Sequence, residues 1–321
     1  MIVDDYLTPI EENEDFNLKE LAESVLANRY DHKQPVPEEP NYLIKIGGKG
    51  IALPASLIGV YGPPKSRKSS LMGMIVAAGL SPNHTFGEIE VNIDGEILWF
   101  DTEQNETEVK YFQDNIIRMS EQKSDDYIYE HYYAMKLRPF DELQRLAIID
   151  KIITSTTVFN KIGLIILDGV ADLMYNVNEI ESSKKLVTRL TYWADKLQVP
   201  LIVALHTNKD GKDATGSLGG FLNKKASYTI KCEPEFDDGP STVRPYFTRN
   251  GQRFLPFLIA NRGEHEEFPG MPKFYDKVLE TENLEFVNPS RSKGKQLDLT
   301  EEDEEIDVTI ESDKKEIIDW L

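Results

Sequence analysis

The chain has 321 residues, of which 40% are apolar, and its only cysteine is Cys232. This length and composition allow one large globular domain or two small ones, and a single cysteine excludes an internal disulfide and any metal site built from several cysteines. The formal net charge is −20, with −8 in residues 1–40 and −9 in residues 296–321, which leaves −3 for the residues between them. The overall acidity therefore does not exclude a nucleic-acid partner.

No run of about 18 apolar residues occurs, and the first residues, from Met1 to Asp5, are acidic where a signal peptide would be basic. The sequence therefore predicts no membrane-spanning helix and no membrane partner. Together with the single cysteine, these features predict a cytoplasmic protein.

The proline-rich segment from Pro35 to Pro40 cannot continue a helix. It separates an acidic leader, which has a short helical pattern near Leu18 to Leu26, from the rest of the chain. We predict a leader and linker in residues 1–40, one domain in residues 41–290, and an acidic, disordered tail with an apolar tip in residues 291–321.

Short apolar runs alternate with helical patterns from Tyr42 onward, which is typical of a parallel, doubly wound α/β sheet. The predicted buried strands are Ser56 to Tyr61, Glu96 to Phe100, Gly163 to Leu167 and Pro200 to Leu205. The predicted helices are Lys68 to Leu80, Glu106 to Met119 with Asn105 and Glu108 as a cap, Asp141 to Thr154, and Ile180 to Leu197. From Tyr228 to Ala260 the pattern changes to strands broken by turn residues, which predicts antiparallel hairpins.

The segment from Gly62 to Ser70 follows the first predicted strand and runs into the first predicted helix. A loop in this context binds phosphates through backbone N–H groups and the helix N-terminus. Lys68 would neutralise the β- and γ-phosphates, and the Ser69 hydroxyl would bind Mg²⁺. The alternative is a lysine-rich turn that binds no nucleotide. The predicted ATP-binding residues are Gly62, Pro63, Pro64, Lys65, Ser66, Arg67, Lys68, Ser69 and Ser70.

Arg67 occupies the position at which the phosphate-loop pattern GxxxxGK[ST] has its second glycine. A side chain there costs about 1 kcal/mol if the backbone needs a positive φ, because only glycine adopts that conformation freely. Alternatively, the extra cation contacts the nucleotide.

Glu103 lies in the segment from Phe100 to Gln104, at the end of the second predicted strand. The carboxyl ends of parallel strands are where α/β proteins bind ligands, and a carboxylate there can orient and deprotonate the attacking water. The alternative is that Asp101, Glu103 and Glu106 only shape a turn and cap the next helix.

Asp168 closes the apolar run from Leu164 to Leu167, which is the pattern of a Walker B strand. Its carboxylate would hold Mg²⁺ through water or through Ser69. Strands of this kind also occur without function, so it is the preceding phosphate loop that makes this pattern informative.

His206 ends the fourth predicted strand and could sense the γ-phosphate and pass its loss to the following loop, although a lone histidine can equally be structural. The following loop, Asp210 to Phe221, is rich in glycine and has lysines in and around it. We predict that this loop contacts DNA through Lys209, Lys212, Lys224 and Lys225. The alternative is a solvated glycine loop.

Taken together, Gly62 to Ser69, Asp101 to Glu103, Asp168 and His206 to Lys209 resemble the RecA-like ATPase superfamily. Within it, the chain is similar to the branch that contains plasmid RepA-type and DnaB-type ring helicases and ATPases of phages and mobile elements. The matching blocks are Pro-Lys-Ser before Lys68, Asp-Thr-Glu-Gln at residues 101–104, Asp168-Gly169 with Asp172-Leu173, and Leu-His-Thr-Asn-Lys at residues 205–209. The resemblance covers about residues 42 to 275 and includes neither tail.

The resemblance implies a RecA-like α/β fold: a twisted, mostly parallel central sheet with helices on both faces and antiparallel C-terminal strands. It also implies that ATP binds between neighbouring subunits and that the next subunit supplies an arginine to stabilise charge on the γ-phosphoryl group. Arg249 is the matching candidate, and Arg253 and Arg262 are alternatives. A surface arginine that pairs with the acidic tail is the competing explanation.

The sequence thus predicts an ATPase that uses Mg²⁺, with Ser69 and Asp168 as metal ligands. Its predicted catalytic residues are Lys68, Glu103, Asp168, His206 and Arg249. The implied role is DNA processing on single-stranded DNA by a homo-oligomeric ring of a phage or mobile element, with helicase activity. One alternative is a recombinase or annealing-type ATPase that binds single-stranded DNA. Another is a nucleotide-dependent switch or partner-binding module in which Arg67 weakens hydrolysis.

The C-terminal run from Leu297 is acidic and ends in Trp320 and Leu321. It resembles protein-docking tails of single-stranded-DNA-binding proteins and of some phage replication proteins. One hypothesis is that this tip fills a pocket on a protein partner while the acids steer it to a basic rim. The alternative is a disordered solubilising tail or one that folds back on its own core.

Overall fold

The computed structural model describes residues 18–27, 29, 31, 33, 35, 40–155, 159–208, 211, 213–236, 239–249, 251–261 and 272–276. The chain divides into two units, Met1–Leu284 and Glu285–Leu321. All the described residues belong to the first unit, so the predicted tail and its docking tip lie outside them. The predicted domain boundaries at residues 40 and 290 stay predictions.

The described residues form helices and strands in alternation, together with one 3₁₀ helix, Val170–Leu173. The helices are α1 (Leu18–Ala27), α2 (Lys68–Leu80), α3 (Glu106–Ser120), α4 (Asp125–His131), α5 (Glu142–Ser155), α6 (Ile180–Leu197) and α7 (Gly216–Lys225). The strands are β1 (Ile44–Ile46), β2 (Lys49–Ala52), β3 (Leu57–Gly62), β4 (Thr85–Phe86), β5 (Ile89–Val91), β6 (Glu96–Asp101), β7 (Tyr132–Lys136), β8 (Ile162–Asp168), β9 (Leu201–His206), β10 (Tyr228–Pro234), β11 (Ser241–Thr248), β12 (Phe257–Asn261) and β13 (Pro272–Asp276).

Nine of the described strands form one sheet in the order β13-β12-β11-β10-β3-β9-β8-β6-β7. The six strands from β10 to β7 in this order pair in parallel, whereas β11, β12 and β13 are added in antiparallel pairing. This is the predicted α/β class, with a mostly parallel centre and antiparallel C-terminal strands. A separate four-stranded antiparallel sheet, β2-β1-β5-β4, was not predicted.

Each central strand buries side chains on both faces of the sheet, so its sequence is continuously apolar. In β6, for example, Ile97 and Trp99 join a core shared with α2 and α3, whereas Leu98 and Phe100 face the core shared with α5, α6 and α7. Helices therefore cover both faces, and the polar residues of the parallel strands are left for the strand ends.

The predicted strands and helices of this central region are confirmed, and every boundary lies within one residue of its predicted position. The predicted cap of α3 is confirmed as well. The Asn105 side chain accepts a hydrogen bond from the Glu108 N–H at 3.0 Å, and the Glu108 carboxylate accepts one from the Asn105 N–H at 3.0 Å. Periodicity and capping chemistry sufficed here because each element buries a regular pattern of its own residues.

The interpretation of residues 210–221 as one glycine-rich loop is wrong for its second half, because α7 begins at Gly216. Gly216 has φ +67°, and a Cβ there would lie 2.6 Å from the Val177 carbonyl oxygen. Glycine is therefore needed for close packing before the first turn, although glycines inside a helix disfavour it intrinsically. Lys209, Asp210 and Lys212 of this segment lie outside the described residues.

Candidate active site

The polar ends of four parallel strands meet at one edge of the central sheet. Gly62 pairs with His206 between β3 and β9, and Asp101 pairs with Asp168 between β6 and β8. Because these strands run in the same direction, the loops that follow them lie side by side. Four of the five predicted catalytic residues, Lys68, Glu103, Asp168 and His206, therefore surround one site.

The loop from Gly62 to Ser69 connects β3 to α2, as predicted. A Cβ on Gly62 would lie 2.2 Å from Ser66 Oγ and 2.3 Å from the carbonyl oxygen of Cys232, so only glycine fits where the loop leaves the sheet. The Arg67 side chain makes no capping hydrogen bond to α2. The first N–H groups of α2 have no partner within the helix and suit the binding of an anion.

Arg67 adopts the left-handed conformation with φ 63°, which is the positive φ expected where the pattern has glycine. Its guanidinium donates hydrogen bonds to Asn261 Oδ1 at 2.6 Å and to the Gly239 carbonyl oxygen at 3.1 Å. The side chain is therefore directed towards the C-terminal strands. Lys65 also has a positive φ of 63°, and its side chain is exposed.

The Lys68 side chain is 8% exposed and lies inside the loop. Its ammonium donates hydrogen bonds to the carbonyl oxygens of Gly62 at 3.1 Å and Pro63 at 3.0 Å, and to His206 Nδ1 at 3.1 Å. Burial lowers the pKa of Lys68, while the neighbouring Cys232, Asp168 and Glu103 oppose that shift. Neutral carbonyl oxygens are weaker acceptors for an ammonium group than an anion is. A phosphate would therefore be a more favourable partner for Lys68.

Asp168 is buried at the end of β8, where burial raises the pKa of its carboxyl to about 7 and a hydrogen bond with Ser69 opposes the rise. Its Oδ2 has no hydrogen-bond partner among the described residues. A divalent cation beside it would favour the ionised form and satisfy this oxygen. The two predicted metal ligands, Ser69 and Asp168, are thus adjacent, and the unsatisfied oxygen fits a bound Mg²⁺.

The metal site would depend on the nucleotide as well as on the protein. Among the described residues, no group of three or more His, Cys, Asp or Glu side chains is arranged to hold a metal ion. Mg²⁺ is commonly bound by one or two protein ligands together with phosphate oxygens and water. The donor set of one hydroxyl and one carboxylate is therefore suited to a metal that arrives with ATP.

Glu103 lies at the same edge, with a half-exposed side chain whose Oε1 is 3.6 Å from His206 Nε2. Contact with His206 is the main cause that holds the pKa of Glu103 below its ordinary value. A Cβ on Gly169 would lie 2.5 Å from Glu103 Oε1, so the glycine after Asp168 makes room for this carboxylate. Glu103 is thus ionised and accessible, as a general base requires.

The three acids of the strand end have different roles in the fold. Asp101 is 1% exposed, and its Oδ1 accepts hydrogen bonds from the N–H groups of Glu103 at 3.0 Å and Gln104 at 2.8 Å. Glu106 pairs with Lys136 at 3.0 Å. Asp101 therefore shapes the turn, as the alternative interpretation held, while Glu103 alone of the three contacts His206.

His206 connects the two charged groups of the site. Because Nδ1 accepts from the Lys68 ammonium, the ring proton lies on Nε2, which faces Glu103. The backbone carbonyl of His206 accepts two hydrogen bonds from Thr215, from its N–H at 2.9 Å and its hydroxyl at 2.8 Å. Thr215 is the residue before α7, so His206 links the phosphate loop to that helix.

Thr102 and Asp172 belong to the site, although the sequence analysis did not select them as site residues. The Thr102 hydroxyl donates to Asp172 Oδ2 at 2.9 Å and accepts from the Gly169 N–H at 2.9 Å. These bonds join the ends of β6 and β8 just below Glu103. The available signal was that both residues stand in the matching blocks Asp-Thr-Glu-Gln and Asp172-Leu173.

A cavity of about 500 Å³ beside the phosphate loop was also missed. In it, the buried Lys231 lies 4.1 Å from the centre of the Tyr246 ring and donates to the Gly211 carbonyl oxygen at 3.3 Å. No sequence pattern indicated this arrangement, because β10 and β11 come together only in the folded sheet. The cavity is lined by Pro63, Gly211, Lys231, Glu233, Pro234, Arg244 and Tyr246.

Arg249 is not part of this edge. The neighbouring Thr248 pairs with Tyr228, which pairs with Ile58 near the start of β3, so Arg249 lies at the opposite edge of the sheet from the phosphate loop. It is exposed, and its guanidinium donates to the Lys224 carbonyl oxygen. Within one chain Arg249 cannot reach the site, which leaves the predicted role in another copy and the competing role as a surface arginine.

The other predicted cations lie elsewhere. Arg253 donates to the Tyr246 carbonyl oxygen at 3.2 Å, and Arg262 lies outside the described residues. Lys224 and Lys225 form the C-terminal end of α7, with the Lys224 ammonium 5.5 Å from the centre of the Phe221 ring. Among the described helices, none combines the length and apolarity needed to span a membrane.

More than half of the chain matches a known protein family. The family model of the AAA domain matches residues 19–212, which is more than half of the chain. Solved structures with a similar fold include the crystal structure of the RadB recombinase, at a TM-score of 0.44 and 15% sequence identity over 65% of this chain and 88% of that chain. No curated protein sequence matches the chain. The chain belongs to the AAA domain family.

Proposed function

We propose that this protein binds Mg-ATP at the edge formed by β3, β9, β8 and β6, hydrolyses it, and couples hydrolysis to DNA processing as a ring helicase. One observation supports the chemical part: the network that joins Lys68, His206 and Glu103 beside the buried Asp168. A cation, a base and a metal ligand within one site are the groups that phosphoryl transfer to water requires. The DNA-processing part rests on the sequence resemblance to ring helicases.

Lys68 provides the positive charge for the phosphates. In the described structure its ammonium donates to two carbonyl oxygens and to His206. Phosphate oxygens are stronger acceptors than neutral carbonyl oxygens. The ammonium would therefore exchange part of this shell for the β- and γ-phosphates, while the first N–H groups of α2 bind the phosphate chain.

Ser69 and Asp168 would hold Mg²⁺, which neutralises charge on the transferred phosphoryl group when bound. Burial is the main cause that raises the pKa of Asp168 to about 7, and the charges of Asp101 and Glu103 add to it. Metal binding and loss of the carboxyl proton are thus linked. Asp168 serves as a ligand only in its ionised form.

Glu103 would act as the general base, because it is ionised and accessible beside the Lys68 and Asp168 pair. The short turn after β6 fixes its backbone through two hydrogen bonds to Asp101. His206 would orient the carboxylate through Nε2. When Lys68 turns to the phosphates, His206 loses one of its contacts, which gives this histidine the sensor role suggested by its sequence position.

The same histidine provides a route to DNA. Its carbonyl oxygen holds Thr215, so movement of His206 would be transmitted to α7 and to Lys224 and Lys225 at its far end. These lysines would contact the phosphates of single-stranded DNA. Arg249 would complete the ATP site of the neighbouring subunit.

Replacing Lys68 with Ala removes the ammonium inside the phosphate loop. We expect the affinity for a slowly hydrolysed ATP analogue with Mg²⁺ to fall about a hundredfold or more, and hydrolysis to disappear. The measurements are titration calorimetry and phosphate release. Lys161→Ala is the control, because the Lys161 side chain is exposed just before β8, at the other end of that strand from Asp168, and should change affinity less than about threefold. Intact hydrolysis in Lys68→Ala would refute the assignment.

Replacing Glu103 with Gln keeps the size of the side chain but removes the base. We expect kcat to fall about a hundredfold or more while the affinity for the ATP analogue stays within about threefold of the original. Glu106→Gln is the control. Glu106 is exposed at the start of α3, and its carboxylate pairs with Lys136. Full turnover of the Glu103 variant at normal ATP affinity would assign the base to another residue.

Replacing Arg249 with Ala tests whether the ATP site is shared between subunits. We expect kcat to fall about a thousandfold, because a trans arginine stabilises the charge that develops in the transition state. An equal mixture of Arg249→Ala and Lys68→Ala should regain part of the activity, since each variant supplies what the other lacks. The same mixture made with Arg253→Ala tests the alternative arginine. If no mixture regains activity, the shared site is wrong.

A forked duplex with a fluorescent strand distinguishes the candidate roles. We expect strand separation that requires ATP, and ATP hydrolysis that single-stranded DNA stimulates. Stimulated hydrolysis without strand separation would instead indicate a recombinase or annealing-type ATPase. Turnover that DNA does not change would indicate the nucleotide-dependent switch. Lys68→Ala is the control for all three outcomes, because it lacks ATP binding.

A further inference from the structure

Arg67 is where the phosphate loop departs from the pattern of its superfamily, and the backbone there nevertheless adopts the left-handed conformation that the pattern leaves to glycine. Its φ and ψ are 63° and 28°. Residues with a Cβ disfavour this conformation, so the surrounding structure must hold it in place. A glycine would adopt this backbone conformation freely but would lack the guanidinium group of Arg67.

The Arg67 guanidinium reaches two separate parts of the C-terminal strands. Nη1 donates to Asn261 Oδ1 at 2.6 Å, at the end of β12, and Nη2 donates to the Gly239 carbonyl oxygen at 3.1 Å, between β10 and β11. Arg67 is half-buried. The hydrogen bond to Gly239 is partly buried and the one to Asn261 is exposed, and the charged donor makes each stronger than a hydrogen bond between neutral groups.

The Gly239 acceptor is itself fixed. The Gly239 N–H donates to the Phe236 carbonyl oxygen at 3.0 Å, and the Glu235 N–H donates to the Pro240 carbonyl oxygen at 2.9 Å. A Cβ on Gly239 would lie 2.5 Å from the Phe236 ring, so the ring packs directly on this glycine. The turn therefore presents its carbonyl oxygen to Arg67 from a defined position.

Arg67 also points away from the catalytic groups. Glu103, Asp168 and His206 follow β6, β8 and β9, which lie on one side of β3 in the sheet order. The acceptors of the two guanidinium hydrogen bonds lie on the other side of β3. Gly239 follows β10, and Asn261 is the last residue of β12. The guanidinium thus contacts the side of the phosphate loop that faces away from Glu103, Asp168 and His206.

We propose that Arg67 is a positioning residue, whose guanidinium ties the phosphate loop to the β10–β11 turn and to the end of β12 and so holds a loop without its second glycine in the conformation that binds phosphate. This proposal rests on the proposed ATP binding and deepens it. Nucleotide affinity then depends on strands that lie more than 150 residues further along the chain. Asn261 becomes a determinant of affinity although it lies outside the phosphate loop.

The test compares the unaltered protein with Arg67→Ala, Asn261→Ala, the double variant and Asn261→Asp. The probe is a slowly hydrolysed ATP analogue with Mg²⁺, measured by titration calorimetry, and KM and kcat are measured with ATP. We expect the affinity to fall about tenfold in Arg67→Ala and about threefold in Asn261→Ala. The double variant should bind within about twofold of Arg67→Ala, because both changes remove the same contact.

Two further results separate positioning from a general loss of structure. Asn261→Asp keeps the acceptor and should bind at least as tightly as the unaltered protein. In Asn261→Ala, KM should rise with kcat at saturating ATP within about twofold, which a disturbed catalytic edge would not give. Arg67→Gly removes the side chain but restores the residue that adopts the left-handed conformation freely, so it should bind at least about threefold more tightly than Arg67→Ala.

Several outcomes would overturn the proposal. If Arg67→Ala weakens binding while Asn261→Ala leaves it unchanged, the guanidinium acts on the nucleotide itself. If Arg67→Gly binds no more tightly than Arg67→Ala, the side chain does not compensate for the missing glycine. If only the unfolding temperature of the nucleotide-free protein changes, the contact is structural. Failure of the unaltered protein to bind the analogue would instead refute the proposed function, and this proposal with it.

Discussion

Parallel pairing of four buried strands is the constraint on which the rest of the molecule depends. Because β3, β9, β8 and β6 bury apolar side chains on both faces, their polar residues are confined to the strand ends. The shared strand direction then brings those ends together at one edge. Burial of the charged groups at this edge disfavours their ionised forms. It therefore lowers the pKa of Lys68 and raises the pKa of Asp168.

These opposite shifts fit the proposed binding of an anion and a cation at this edge. Burial disfavours the charged forms of both Lys68 and Asp168, and each regains a favourable environment only when an opposite charge binds beside it. Glu103 differs, because contact with His206 keeps its carboxylate ionised. One edge thus carries two groups that the proposed ligands would satisfy and one carboxylate that is already ionised.

The sequence predicted the strands, the main helices and the residues at the strand ends, since each leaves a regular or local pattern. It could not predict which of these residues touch. The hydrogen bond between Lys68 and His206, and the partners of Arg67, join segments more than 100 residues apart and leave no periodic trace. The helix α7 was mistaken for a loop because packing against Val177 outweighs the low helix propensity of its glycines.

Cys232 shows a practical consequence of how tightly the phosphate loop lies on β10. A Cβ on Gly62 would lie 2.3 Å from the carbonyl oxygen of Cys232. Burial raises the pKa of the Cys232 thiol to about 12. Maleimide reagents attack thiolates, so the folded chain offers them almost no target of its own. Because no other cysteine is present, a fluorophore coupled to an engineered surface cysteine would report on that one position without prior removal of the native thiol.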